Sequence, residues 1–471
     1  MGSIVTMLPL RGDCFLAKGK TKTVYVCDSC GNETPRWEGR CPSCRQWNTL
    51  AEMKQSKLPE RNHWIGESLP AIHLSDVAVE DFPRIEVDSH EINRVMGGGI
   101  VKGSLTLIAG DPGIGKSTLL LRLASDVASI GRPCLYVTGE ESVSQIKMRA
   151  DRLGLPGTGL YLLQATELTE VMAELDKRQV GLVVVDSIQT LFDASESSTS
   201  GSVTQIRQCT RVLMEWAKRT GVPVLLTGHV TKGGDIAGPR VLEHMVDVVL
   251  YLEGDPISAW RLLRAVKNRF GSTNEVGVFE MNNEGLVDVI DPSSVFISGR
   301  REGSVGSIVV ATMEGTRPLL IEVQALTNPS LLPAPRRVAT GVDINRLLLV
   351  CAVLSRRTGV PLSGQDVVVN VTGGFKISEP AADLGIALAI TSSLRDLPIP
   401  TGLVALGEIG LTGEIRAVPQ ISHRVEEAHR LGLSKCLVPQ ISAHATSGSG
   451  SSLGHGVDTL SEALSYALPR S

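Results

Sequence analysis

The sequence has no excess of cationic charge: 46 Lys and Arg stand against 50 Asp and Glu over 471 residues, for a formal net charge of −4. No overall positive field draws the chain onto nucleic acid or a membrane, so any polyanion must be held by local groups. A long apolar run is also missing. Stretches such as Leu347 to Leu354 fall far short of the roughly 18 apolar residues a membrane span needs, despite a mean hydropathy of +0.11. No apolar leader with a small-residue cleavage pattern follows Met1, and Arg11, Asp13 and Lys18 interrupt that segment, so the expectation is a cytoplasmic protein without membrane attachment. Aromatics are scarce at 4%, but the hydrophobic and charged fractions, 42% and 20%, are near globular averages. That balance excludes a disordered, collagenous or disulfide-scaffold chain. At roughly 150 residues per domain, the length predicts about three domains.

The nine cysteines are an odd number, and four of them cluster while Cys14, Cys134, Cys209, Cys351 and Cys436 are scattered. This is the arithmetic of a metal site in a reducing compartment. Cys27 and Cys30 form one C-x2-C knuckle, and Cys41 and Cys44 a second after ten intervening residues. Two such knuckles close a tetrahedral four-sulfur cage with no position open to water, which makes the expected zinc site structural. A segment of about 40 residues has too little core to fold alone, and a closed zinc site contributes on the order of 10 kcal/mol. Residues 18–57 are therefore expected to be a zinc ribbon. Zinc ligation by four thiolates lowers the segment's formal charge from +4 to +2, so basicity is weak support for nucleic-acid binding. Trp37 and Trp47 could stack on bases; the favoured expectation is that they form ribbon core. Residues near Leu50 to Pro70, polar and carrying Pro59 and Pro70, read as a linker.

A second domain is expected over 70–295. The apolar strand Leu105 to Ala109 runs directly into Gly110-Asp111-Pro112-Gly113-Ile114-Gly115-Lys116-Ser117, followed by a helical run from Thr118 to Ser129. This is G-x-x-x-x-G-K-S in its strand, loop, helix context. Glycines let backbone N–H groups wrap a phosphate, and Lys116 is suited to the β and γ oxygens of ATP. The Ser117 hydroxyl is suited to magnesium, and Gly110 to Thr118 form the expected nucleotide loop. Downstream, strands ending in Glu140, Asp186 and His229 alternate with helices, the pattern of a parallel sheet whose ligands sit at the carboxyl ends of its strands. Asp186 is the expected second magnesium residue, and Glu140, or less favourably Glu141, the carboxylate that polarises the attacking water; His229 is a candidate γ-phosphate sensor. Arg261 to Gly271 carries four cations and no acid, with Lys267 and Arg269 on one face of a strand entering a turn. They suit a transferring phosphoryl group of a neighbouring subunit, DNA phosphate, or a solvated edge strand guarded against aggregation.

From about Ser304 the pattern changes to an α+β domain. Strands are expected at Ser307 to Thr312, Leu319 to Ala325, Asp366 to Val371 and Lys435 to Val438. Helices are expected at Asn345 to Arg357, Ala381 to Leu394 and Arg424 to Leu431, a hairpin across Val404 to Val418, and a Ser/Gly loop from Thr446 to Gly456.

Taken in order, these residues resemble the bacterial RadA (Sms) DNA-repair family across nearly the whole chain. The resemblance rests on Cys27 to Cys44 with the following Arg45-Gln46-Trp47-Asn48-Thr49, on Gly97-Gly98-Gly99-Ile100-Val101-Lys102-Gly103-Ser104 leading into Gly110 to Thr118, and on Lys267-Asn268-Arg269-Phe270-Gly271. Residues 1–17 depart from the family's usual start and are expected to be an extension. The resemblance implies a RecA-like α/β ATPase core between the zinc ribbon and a Lon-protease-like α+β domain over 303–471. It also implies a hexameric, ring-shaped, DNA-stimulated ATPase and helicase that acts on single-stranded and branched DNA, with a strand-exchange recombinase as partner. In that setting Lys267 and Arg269 join Lys116, Glu140 and Asp186 as expected catalytic or DNA-contacting groups. A nucleotide-switched adaptor that positions the recombinase without translocating has the same loop and sheet. An ATP-dependent protease is disfavoured, because Asp383 stands where the Lon nucleophile is expected and Ser422 where its lysine is, leaving no activated hydroxyl. Lys376 and Arg416 read as solvated cations in preference to phosphate contacts.

Overall fold

A computed structural model of the chain describes residues 22–27, 32–55, 73, 75, 84–196, 198–229, 242–254, 259–301, 303–446 and 454–469. The expected N-terminal extension lies outside these residues, as does Cys30. Near the N-terminus, Lys22–Cys27 pairs antiparallel with both Glu33–Thr34 and Leu50–Gln55 in a three-stranded sheet. The expected linker thus starts later than its polar composition suggests. Leu50–Gln55 is a full strand, with Leu50 opposite Cys27.

The central sheet has nine strands. Six are parallel, in the order Val248–Glu253, Leu105–Gly110, Val224–His229, Leu182–Asp186, Cys134–Thr138 and Leu160–Gln164. An antiparallel meander, Trp260–Asn268, Val276–Asn282 and Gly285–Asp288, extends it beyond Val248–Glu253. The parallel strands read as unbroken apolar runs because both faces are covered. Ile108, Tyr136 and Val184 face helix Lys116–Ser129 through its Leu119, Leu120 and Leu123. The alternating Leu107, Val137 and Val185 face helix Val203–Thr220 through its Ile206, Leu213 and Trp216. Each such side chain, taken from water, stabilises the fold by about 2 kcal/mol. Lys267 lies on Trp260–Asn268, which pairs with Val248–Glu253 along one side; on the other side only Trp260 to Arg264 pair, with Val276–Glu280, so the stretch carrying Lys267, and Arg269 just past the strand, have no strand partner there.

The C-terminal sheet is mixed and seven-stranded, in the order Arg337–Thr340, Gln365–Val371, Arg317–Pro329, Ser307–Glu314, Leu403–Ala405, Lys435–Pro439 and Gly454–Val457. Helices Ile344–Thr358 and Asp383–Arg395 pack on one face, and helix Ile421–Arg430 on the other. Every residue from Asp383 to Ser392 is buried, and Gly385 lets this helix approach its sheet: a Cβ there would stand 2.2 Å from Val310 Cγ1. A small ladder of Glu408–Ile409 with Ile415–Arg416 forms the expected hairpin around Leu411 to Gly413. Of the expected Ser/Gly loop, 447–453 lie outside the described residues, whereas Gly454–Val457 is a strand parallel to Lys435–Pro439. The two large sheets are docked together. Trp260 meets Phe296 edge-on at 5.2 Å between ring centroids, and the buried Arg317 guanidinium pairs with Glu91.

Candidate functional site: a nucleotide loop and a thiolate cluster

The loop between Gly110 and Lys116 stands at the carboxyl end of a central strand, with Asp111, Pro112 and Gly113 exposed to solvent. Gly115, at φ +117°, caps the following helix in a conformation that a side chain rarely adopts, and no side chain caps the first turn. The helix therefore offers its positive end and its first backbone donors to an anion. Lys116 is buried; its Nζ donates to the carbonyl oxygens of Gly110 at 2.8 Å and Asp111 at 2.9 Å. Burial pushes its pKa below the ordinary lysine value, against the opposing charges of Asp186, Asp111 and Glu140.

Asp186 is held at both oxygens. Tyr136 donates its phenolic O–H to one at 2.6 Å, and Thr227 its hydroxyl to the other at 2.7 Å. Burial and the Asp186 charge drive the Tyr136 pKa well above its ordinary value, so the phenol stays a donor. Just past the neighbouring strand Cys134–Thr138, Glu140 accepts from the Ser187 hydroxyl at 2.6 Å. Glu141 is engaged by the Arg149 guanidinium, and its backbone N–H donates to Thr138 Oγ1 at 3.1 Å. The two glutamates are thereby separated: Glu140 is held by Ser187 at the end of the Asp186 strand, while Glu141 anchors helix Val143–Arg152. A hydroxyl at Ser117 and a carboxylate at Asp186 are the hard oxygen donors that magnesium takes together with water and phosphate. His229 ends its strand, and its side chain lies outside the described residues.

Tyr136, Thr227 and Ser187 were not picked out from the sequence. Tyr136 carries the one available signal, a phenol set in the apolar strand Cys134–Thr138, where a buried hydroxyl needs a partner.

Lys267 and Arg269 are brought together, but not at the loop. Lys267 Nζ donates to the carbonyl oxygens of Glu243 at 2.6 Å and Val246 at 2.8 Å, and Arg269 pairs with Asp247 at 3.1 Å. The register sets Asn268 opposite Val248, and Val248 opposite Thr106, whereas the loop begins beyond Gly110. At about 3.3 Å per residue, these cations stand more than 10 Å from their own loop, at the amino ends of the parallel strands. Asp247 fixes this corner: it is buried, and its carboxylate also accepts from Lys218 at 2.7 Å and the Leu105 N–H at 3.0 Å.

In the ribbon, the Sγ atoms of Cys27, Cys41 and Cys44 lie within 4.8 Å of one another, Cys27 and Cys44 at 3.6 Å. Four sulfurs at 2.3 Å from a tetrahedral zinc stand about 3.8 Å apart, so the spacing fits zinc. Trp37 and Trp47, expected as ribbon core, are instead 56% and 70% exposed. The core here is Cys27, Cys41 and Leu50.

In the C-terminal domain, Asp383 is buried and forked by the Arg346 guanidinium, with Nε to Oδ1 at 2.7 Å, and it accepts from the Ile409 N–H at 3.1 Å. Burial raises its pKa against the pull of Arg346. A side chain held by three donors is a structural acid. Arg416 is exposed and pairs with Glu414.

A phosphate-wrapping loop on a parallel sheet covered on both faces, with a buried lysine and a fixed aspartate, defines a RecA-like P-loop ATPase. The comparisons with known proteins agree: residues 69–235 match the AAA domain model, 25–52 the rubredoxin metal binding domain, and 349–442 the ChlI subunit of Mg-chelatase. The chain is 48% identical to the DNA repair protein RadA of Bacillus subtilis, over 89% of this chain and 93% of that one. It is 47% identical to RadA of Listeria monocytogenes, over 96% and 100%, and 48% identical to RadA of Pseudomonas aeruginosa, over 89% and 93%. The chain belongs to the RadA family of DNA repair proteins. It is a zinc-binding ATPase that takes ATP with magnesium. No helix among the described residues is long and apolar enough to cross a membrane.

Proposed function

We propose that this chain is a DNA-stimulated ATPase that assembles as a ring of six copies, moves on single strands and promotes branch migration of recombination intermediates alongside a strand-exchange recombinase. The observation that carries the reading is the separation of charges on one sheet. The nucleotide loop occupies one end of the parallel strands, and Lys267 with Arg269 the other. Beyond their own contacts with Glu243, Val246 and Asp247, cations so far from their own loop are read as serving something outside their own subunit: a neighbour's phosphoryl group or a DNA strand. Repeated copies around one strand would supply the local positive charge that the balanced composition lacks.

At the loop, Lys116 and the helix amides would hold the β and γ phosphates, and Ser117 and Asp186 would hold magnesium. Tyr136 and Thr227 keep both Asp186 oxygens in position, and Glu140, steadied by Ser187, accepts the proton of the attacking water. Magnesium, when bound, neutralises charge that develops on the phosphate oxygens. The C-terminal domain is read as a non-proteolytic platform, because a forked Asp383 offers no nucleophile. Single-stranded DNA is expected to raise the steady-state rate of ATP hydrolysis several-fold at low salt, with the stimulation fading as salt rises. A rate that DNA leaves unchanged at low salt would remove the reading.

A further inference from the structure

The zinc ribbon presents an aromatic notch that the nucleotide site does not use. Trp37 and Trp47 are among the most exposed large apolar side chains described, at 56% and 70%. They flank the same glycine: a methyl group built at Gly39 would stand 3.7 Å from the Trp47 ring and 3.8 Å from that of Trp37. The backbone fixes this arrangement. Arg40 and Trp47 form a bridge, Asn48 N–H donates to the Gly39 carbonyl at 2.9 Å, and Cys41 N–H donates to the Gln46 carbonyl at 2.9 Å. Arg45 and Asn48, both at positive φ, turn the chain on either side of Trp47. The same knuckle that brings in Cys41 and Cys44 thus holds Trp47 against Gly39, where the Trp37 ring also lies.

One cation lies against the notch, and two more stand close in sequence. Arg40 lies over the Trp47 ring at 5.7 Å and donates from Nε to the Arg45 carbonyl at 2.6 Å; Arg36, next to Trp37, and Arg45, two residues before Trp47, are exposed, and Glu38 is the one acid from Pro35 to Asn48. Two exposed indoles with a guanidinium over one of them and two further exposed arginines close in sequence match a ligand that alternates flat π-faces with phosphates. A purely apolar protein partner would make no use of the exposed Arg36 and Arg45.

We infer that Trp37, Gly39 and Trp47, with Arg36, Arg40 and Arg45, form a stacking site for the bases of single-stranded DNA on the zinc ribbon, separate from any contact made by the ATPase domain. The inference rests on the proposed DNA-motor reading and locates a second contact for the same ligand class.

The test uses the full-length protein with zinc bound, a fluorescent oligo-dT, and an abasic oligomer of equal length that keeps the sugar-phosphate chain. Trp37→Ala and Trp47→Ala are each expected to weaken oligo-dT binding by about 5- to 150-fold, the range that loss of one base-stacking aromatic produces. Abasic binding, already weaker, is expected to stay within about twofold. Trp47→Phe keeps a ring and is expected to restore most of the affinity, and Gly39→Val, which fills the notch from an ordinary backbone conformation, is expected to behave like the alanine variants. Zinc content and DNA-free ATP hydrolysis serve as fold controls and are expected to be unchanged. Unchanged oligo-dT affinity in both alanine variants, or equal losses on dT and abasic oligomers, would overturn the inference and leave the notch to a protein partner. Failure of the wild-type protein to bind either oligomer would instead count against the DNA-motor reading itself.

Discussion

Lys116→Ala is expected to abolish ATP hydrolysis, lowering turnover by at least a hundredfold while the protein stays folded. The expectation follows from where the ammonium sits. It is buried, under the opposing charges of Asp186, Asp111 and Glu140, with its hydrogen bonds directed to the loop's own carbonyls at Gly110 and Asp111. A cation held in that way is pre-organised for phosphate oxygens, and removing one such donor costs about 10²- to 10³-fold in rate. Folding should survive, because the helix behind the loop is anchored by Leu119, Leu120, Leu123 and Val127. Hydrolysis by coupled assay and far-UV circular dichroism on the same preparation check the two halves. A variant retaining more than a tenth of wild-type turnover would remove Lys116 from the site.

Arg269→Ala is expected to lower DNA-stimulated turnover by about a thousandfold, the effect that loss of a trans-acting finger cation produces, with a similar loss in Lys267→Ala. Each is about 4 kcal/mol of barrier. The sheet register keeps both cations away from their own loop, so the loss is expected to arise at the loop of a neighbouring subunit, with a DNA contact or the Asp247 corner as the alternatives to be separated. Mixing supplies the discriminating measurement. Lys116→Ala and Arg269→Ala proteins, each inactive alone, are expected to recover part of the turnover together, because a mixed ring contains interfaces where an intact loop faces an intact arginine. Mixtures that stay inactive would leave Arg269 as a DNA contact or a structural partner of Asp247.

The nucleotide loop was legible in the sequence because its chemistry is local: glycines, lysine and serine within eight residues, bracketed by an apolar strand and a helix. The partners that fix Asp186 were not, since Tyr136 and Thr227 lie 50 and 41 residues away and meet it only because the sheet order sets their strands on either side of its own. Leu50–Gln55 escaped notice for a different reason. A strand of Leu, Ala, Glu, Met, Lys and Gln has no clean alternation, and it exists because Lys22–Cys27 offers it a full register. Gly454–Val457, half glycine, was hidden by composition and forms through pairing with Lys435–Pro439. The tryptophans misled in the opposite direction: a ribbon core filled by Cys27, Cys41 and Leu50 has no need of them, and they face water. Local chemistry was readable, whereas pairing across long sequence separation was not.

The central claim is that hydrolysis drives movement on DNA. Unwinding of a forked DNA by the purified protein, with the recombinase omitted, tests it most directly. The account predicts strand separation that requires ATP and is lost in Lys116→Ala, and ATP-dependent binding of the fork without strand separation would contradict it and point to a nucleotide-switched adaptor.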